Sequence, residues 1–74
     1  MAKLPPHVQR MVAERAELGE RRDKLAAFVA SDKLADLDAQ DAALLNSQLR
    51  AMGEYYDILD LRLARVGVHT HGMD

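Results

Sequence analysis

At 74 residues, with no cysteine and no tryptophan, the chain is one domain at most and has neither disulfides nor thiolate metal sites to staple a small core. Hydrophobic residues make up 49% and charged residues 30%, the balance of a soluble helical protein, and no apolar run nears the ~18–20 residues of a membrane span. The net charge of −2 excludes a general nucleic-acid coat, which needs a strongly basic surface.

Residues Met1 to Pro6 lack the apolar stretch of a signal peptide, so a cytoplasmic address is expected. Pro5-Pro6 marks the start of a first helix, because proline is tolerated in a first turn and not later. That helix is expected from about His7 to Ala30. Val8, Met11, Leu18, Leu25 and Val29 fit a heptad, but Arg15 and Arg22 occupy two positions of the same seam. Val12, Ala16, Ala26, Ala27 and Phe28 broaden the apolar face near its ends. The basic residues Arg15, Arg21, Arg22 and Lys24 cluster in this helix, which suits a small anionic ligand better than a long polyanion.

Small and acidic residues break the pattern after Ala30, so residues 31–37 are read as the turn. Asp38 is placed as the N-cap of a second helix, with Leu37 before it as a staple residue and Asp36 as the alternative cap. Along this helix Leu45, Leu49, Met52, Tyr56, Leu59, Leu63 and Val66 recur every three or four positions and form one seam. A second row, Leu44, Ala51, Tyr55 and Ile58, runs beside it. One partner helix covers one face, so the second row calls for another copy or another protein. Gly53 inside the helix costs roughly 1 kcal/mol against alanine, so its small size is expected to serve close packing or a ligand. The helix is expected to stop near Val66 at Gly67, the usual left-handed residue past a helix end, leaving a short polar tail over 67–74. The expected architecture is all-α. A single domain over residues 1–74 forms an antiparallel two-helix hairpin and assembles into a compact homo-oligomer.

No catalytic motif is present, whether a Ser/His/Asp or Cys/His set, a phosphate-binding loop or a zinc-protease helix, so neither an enzyme nor a cofactor is expected. The carboxylates have basic neighbours at helical spacing and read as solvated faces. His69 and His71 place two imidazoles on one side of an extended strand, but a structural metal site needs two more ligands and only His7 remains. Arg15 and Arg22 have two readings. They snorkel from the seam to acids of the second helix, or with Arg21 and Lys24 they line a phosphate groove between subunits. Arg10 and Arg62 share that ambiguity, and Arg62, one turn beyond Ile58 on the face expected to be buried between subunits, must find a carboxylate or a phosphate. Of the adjacent tyrosines, Tyr56 lies on the seam, whereas Tyr55 is freer to face another subunit. His7, in the first turn, either stacks on a base or caps a helix end.

Read together, the stretches Pro6-His7-Val8-Gln9-Arg10-Met11-Val12-Ala13-Glu14, Leu18…Lys24-Leu25…Phe28 and Leu45…Gln48-Leu49…Met52-Gly53-Glu54-Tyr55…Leu59…Arg62-Leu63 resemble a family of small phage proteins. That family is the helical-hairpin domain shared by phage anti-CBASS sponges and the N-terminal part of phage anti-Thoeris decoys. The resemblance implies a compact homo-oligomer, typically a hexamer, in the cytoplasm of the infected bacterial host. It would sequester cyclic oligonucleotide messengers without cleaving them, and so keep the immune enzymes that need them switched off. The implied ligands are cyclic dinucleotides such as cGAMP, held between subunits, and cyclic trinucleotides in separate pockets; neither DNA nor a membrane is an implied partner. Carried over by residue, His7 falls where many relatives have a stacking tyrosine, Arg21 or Lys24 at the basic position of the first helix, and Arg62 at the arginine of the second. Imidazole offers a base a smaller stacking face than phenol does.

Two other readings stand beside the sponge. One is a structural or adaptor hairpin whose partner is another protein. The other is an oligomeric DNA-binding regulator, which the negative charge and the missing helix-turn-helix spacing oppose.

Overall fold

The computed structural model describes residues 4–68. Helix α1 spans Pro6–Val29, a short 3-10 helix spans Asp32–Asp36, and helix α2 spans Ala39–Arg65. The two long helices pack against each other as an antiparallel hairpin. Its extents are 51 × 22 × 16 Å, and its radius of gyration of 15.5 Å exceeds the value of about 11 Å for a globule of this length. The molecule is a rod two helices wide.

The helix ends are set by local chemistry. Pro6 opens α1, where its missing N–H is not needed, and the Pro5 carbonyl accepts from the amides of Val8 and Gln9, both at 3.0 Å. In the turn, the Ser31 hydroxyl donates to the Phe28 carbonyl at 2.7 Å and accepts from the Lys33 amide at 3.2 Å. Asp38 caps α2, its carboxylate accepting from the Gln40 amide at 3.2 Å. At the far end Gly67 takes a φ of +85°. The Val68 amide then donates to the Leu63 carbonyl at 2.8 Å and the Gly67 amide to the Ala64 carbonyl at 3.0 Å, a Schellman closure.

The core is small and lies off-centre. Val8, Met11, Leu18, Leu59 and Leu63 are buried, with Leu59 and Leu63 at 0% exposure. Val12, Met52, Tyr56 and Val68 pack around them. Towards the turn the seam thins: Leu25, Phe28, Leu45 and Leu49 are only half-buried. Val66, read as the last residue of the seam, is exposed because the chain leaves the helix there, and Val68 reaches the core instead. The second row faces outward, with Leu44 at 63% and Ile58 at 51% exposure, and Leu61 at 67% adds to the uncovered apolar surface.

Candidate ligand-binding flank

Two contacts fix how the helices are registered. Tyr56 of α2 drops its ring into the gap formed by Arg15, Leu18, Gly19 and Arg22 of α1, residues whose spacing makes the four corners of a knob-into-hole socket. A Cβ built at Gly19 would sit 3.0 Å from the Tyr56 ring, so any larger residue there makes the ring give way by a few tenths of an ångström. The guanidinium carbons of Arg15 and Arg22 each lie 4.4 Å from the ring centroid. Their positions on α1 are about 10.5 Å apart along the axis, so the two cations bracket the ring.

Arg15 also donates from Nε to the Asp60 carboxylate at 2.8 Å, and the two side chains are 12% and 18% exposed. A carboxylate therefore already neutralises it. Of the two readings of Arg15, the structure shows the one that pairs it with an acid of the second helix. Arg22 stacks on Tyr56 and lies 3.7 Å from the exposed Asp23, its own neighbour in sequence.

The opposite flank carries the remaining candidates. The Tyr55 hydroxyl donates to the Glu14 carboxylate across the two helices. Glu14 belongs to the α1 row His7, Arg10, Glu14, Glu17, Arg21 and Lys24, and Tyr55 to the α2 row that contains Ala51, Ile58 and Arg62. These rows are therefore neighbours. His7, Arg10, Arg21, Lys24, Tyr55 and Arg62 share one side of the hairpin, and all six are exposed.

One side is not one site. On the register set by Arg15–Asp60 and Gly19–Tyr56, Arg62 lies level with the first half of α1, near Arg10. Arg21 lies about 16 Å further along from Arg10, level with Glu54. Helix α1 thus presents two separate basic places, with Glu14 and Glu17 between them. The described residues enclose no pocket and bring together no group of three or more potential metal ligands. His69 and His71 lie outside the described residues.

Gly53 does not make the close approach expected of it within the hairpin: a Cβ there meets nothing within 4 Å. It sits one heptad before Asp60, on the flank of the Arg15 ion pair and away from the candidate residues. The close-approach glycine is Gly19. Its signal in the sequence was two arginines on the seam, a heptad apart, on either side of a glycine.

None of the helices is long and apolar enough among the described residues to cross a membrane. No curated protein and no solved structure matches the chain. A family model described as Sequestin matches residues 5–65, from the proline that precedes α1 to the last residue of α2. The match takes in both helices and the turn, and the chain belongs to the Sequestin family.

Proposed function

We propose that the protein sequesters cyclic oligonucleotide messengers, cyclic di- and trinucleotides, as a non-catalytic homo-oligomer, and in doing so blocks CBASS immunity in a phage-infected bacterial cell. The observation that carries this reading is the shared flank. Six side chains suited to stacking or to phosphate binding project from one exposed side of a rod whose described residues enclose no pocket. A ligand with two or three phosphates is enclosed there only when a second copy supplies the other wall. The family name, which speaks of sequestration rather than turnover, supports the same reading.

In this account Arg21 and Lys24 take the phosphates of a cyclic dinucleotide and His7 of another copy, since the two places lie about 21 Å apart on one helix, stacks on a base, while Arg10 and Arg62 serve a cyclic trinucleotide. Tyr55 stands between the two places. Binding is tested by thermal unfolding against a cyclic dinucleotide, a cyclic trinucleotide and duplex DNA. A ligand at 100 times its dissociation constant stabilises the native state by about 2.7 kcal/mol, a visible shift for a small domain. Stabilisation by cyclic oligonucleotides and not by DNA is expected.

The exposed apolar residues Leu44, Ile58 and Leu61 favour a second reading, an adaptor hairpin that docks another protein. That reading expects no shift from any of the three ligands.

A further inference from the structure

The uncovered row of α2 has a spacing that lets a second copy pack on it in register. Leu44, Gln48, Ala51, Tyr55, Ile58 and Arg62, closed at the ends by Asp41 and Arg65, are spaced 3, 4, 3, 4, 3, 4 and 3. The spacing reads the same in both directions, and every residue of the row is exposed. Turned by a half-rotation at the level of Gly53, a second α2 meets the first in register. Asp41 then faces the partner's Arg65, Leu44 the partner's Arg62, Gln48 the partner's Ile58, and Ala51 the partner's Tyr55. Each of these pairings occurs twice, as a two-fold contact requires.

Charge separates a second copy from an arbitrary apolar partner. The open end of the hairpin, residues 4–12 and 61–68, carries Arg10, Arg62 and Arg65 and no acid. The turn end, residues 30–44, carries Asp32, Asp36, Asp38 and Asp41 against Lys33 alone. Antiparallel copies bring each positive end onto a negative one; parallel copies stack like on like. Asp41 and Arg65 have no ion-pair partner among the described residues. They are also about 36 Å apart along one helix, too far to pair within it. The small Ala51 next to the axis lets the backbones approach, and the Arg62 stem can lie over the partner's Leu44 with its guanidinium left at the rim.

We propose that a second copy of this chain packs antiparallel on this row, α2 against α2, with reciprocal Asp41–Arg65 ion pairs at the two ends. The pairing rests on the self-association in the proposed function and not on its ligand.

Charge reversal tests it. Asp41→Arg alone and Arg65→Asp alone each turn two attractions into two repulsions, and each is expected to weaken assembly by at least about tenfold in sedimentation equilibrium. An equimolar mixture of the two variants restores both pairs in a mixed dimer and is expected to regain the wild-type species. Lost helix-dipole interactions cannot produce that recovery, because both variants keep their own defect in the mixture. Circular dichroism checks that each hairpin stays helical. If a reversal unfolds the hairpin, cysteines introduced into the cysteine-free chain give an independent reading. Ala51→Cys mixed with Tyr55→Cys is expected to form a mixed disulfide, and Gly53→Cys, on the other flank, is not expected to bridge to itself.

A wild-type chain that is monomeric at tens of micromolar would overturn this pairing and the homo-oligomer together. A wild-type oligomer whose single variants assemble normally, or whose mixture does not recover, would overturn this register and leave the homo-oligomer standing.

Discussion

Gly19 and Tyr56 meet face to face across the two helices of this hairpin, with a Cβ at Gly19 falling 3.0 Å from the tyrosine ring. The ring cannot easily retreat, because Arg15 and Arg22 each stack within 4.4 Å of its centroid. Alanine in a helix interior normally gains about 1 kcal/mol over glycine, whereas overpacking costs about 1–3 kcal/mol. At Gly19 the second effect wins. Gly19→Ala is expected to lower the unfolding free energy by ~1 kcal/mol, and Gly19→Leu by more, in urea denaturation. The same changes in a Tyr56→Ala background should be far less harmful, since the ring they strike is gone.

Gly53 supplies the opposite expectation. No atom lies within 4 Å of a Cβ at that position. Gly53→Ala should therefore raise stability by up to ~1 kcal/mol, measured in the same denaturation series. A loss there would mean that another subunit packs on this flank.

The Arg15–Asp60 pair is largely withdrawn from solvent and links the two helices. A charge-assisted hydrogen bond of this kind is worth about 1.5–3 kcal/mol, whereas an exposed ion pair is worth ~0–1 kcal/mol. A double-mutant cycle of Arg15→Met with Asp60→Asn should give a coupling of about 1.5–3 kcal/mol. The exposed Arg22–Asp23 contact should show almost none.

Leu59 and Ile58 are adjacent in sequence and opposite in role. Leu59 is fully buried and Ile58 is half-exposed on the outer row. Leu59→Ala is expected to cost about 2–5 kcal/mol of hairpin stability. Ile58→Glu should leave helicity nearly unchanged by circular dichroism and dissociate the proposed homo-oligomer, as seen by sedimentation.

The two basic places on the shared flank make separable predictions for ligand. A charge-assisted phosphate contact of ~1.5–3 kcal/mol corresponds to a loss of about 10- to 150-fold on truncation. Arg21→Ala and Lys24→Ala should weaken a cyclic dinucleotide most, and Arg62→Ala a cyclic trinucleotide most, in calorimetric titration of variants shown to assemble. Equal losses for both ligands would merge the two places into one.

What could be read from the sequence follows the range of the interaction. The Asp38 cap and the Gly67 stop depend on one side chain and one backbone angle, and both are visible in a few consecutive residues. The Leu59–Leu63 seam follows from helical period alone. The Tyr56 socket did not follow from either, because it depends on how one helix is registered against the other. For the same reason the sequence alone leaves Arg15 two readings, and the Asp60 carboxylate beside it decides between them. The candidate flank was legible only residue by residue. That the α1 and α2 rows adjoin rests on the Glu14–Tyr55 contact, which spans the two helices.

The central claim is sequestration, and sequestration means that the ligand is held and returned unchanged. The direct measurement incubates a cyclic dinucleotide, and separately a cyclic trinucleotide, with the purified protein. Free ligand is then removed, the protein is denatured, and the released nucleotide is identified by chromatography against the starting material. The account predicts that ligand is retained by the folded oligomer and recovered intact after denaturation. Recovery of a linear product, or no retention of either ligand by an assembled protein, would contradict it.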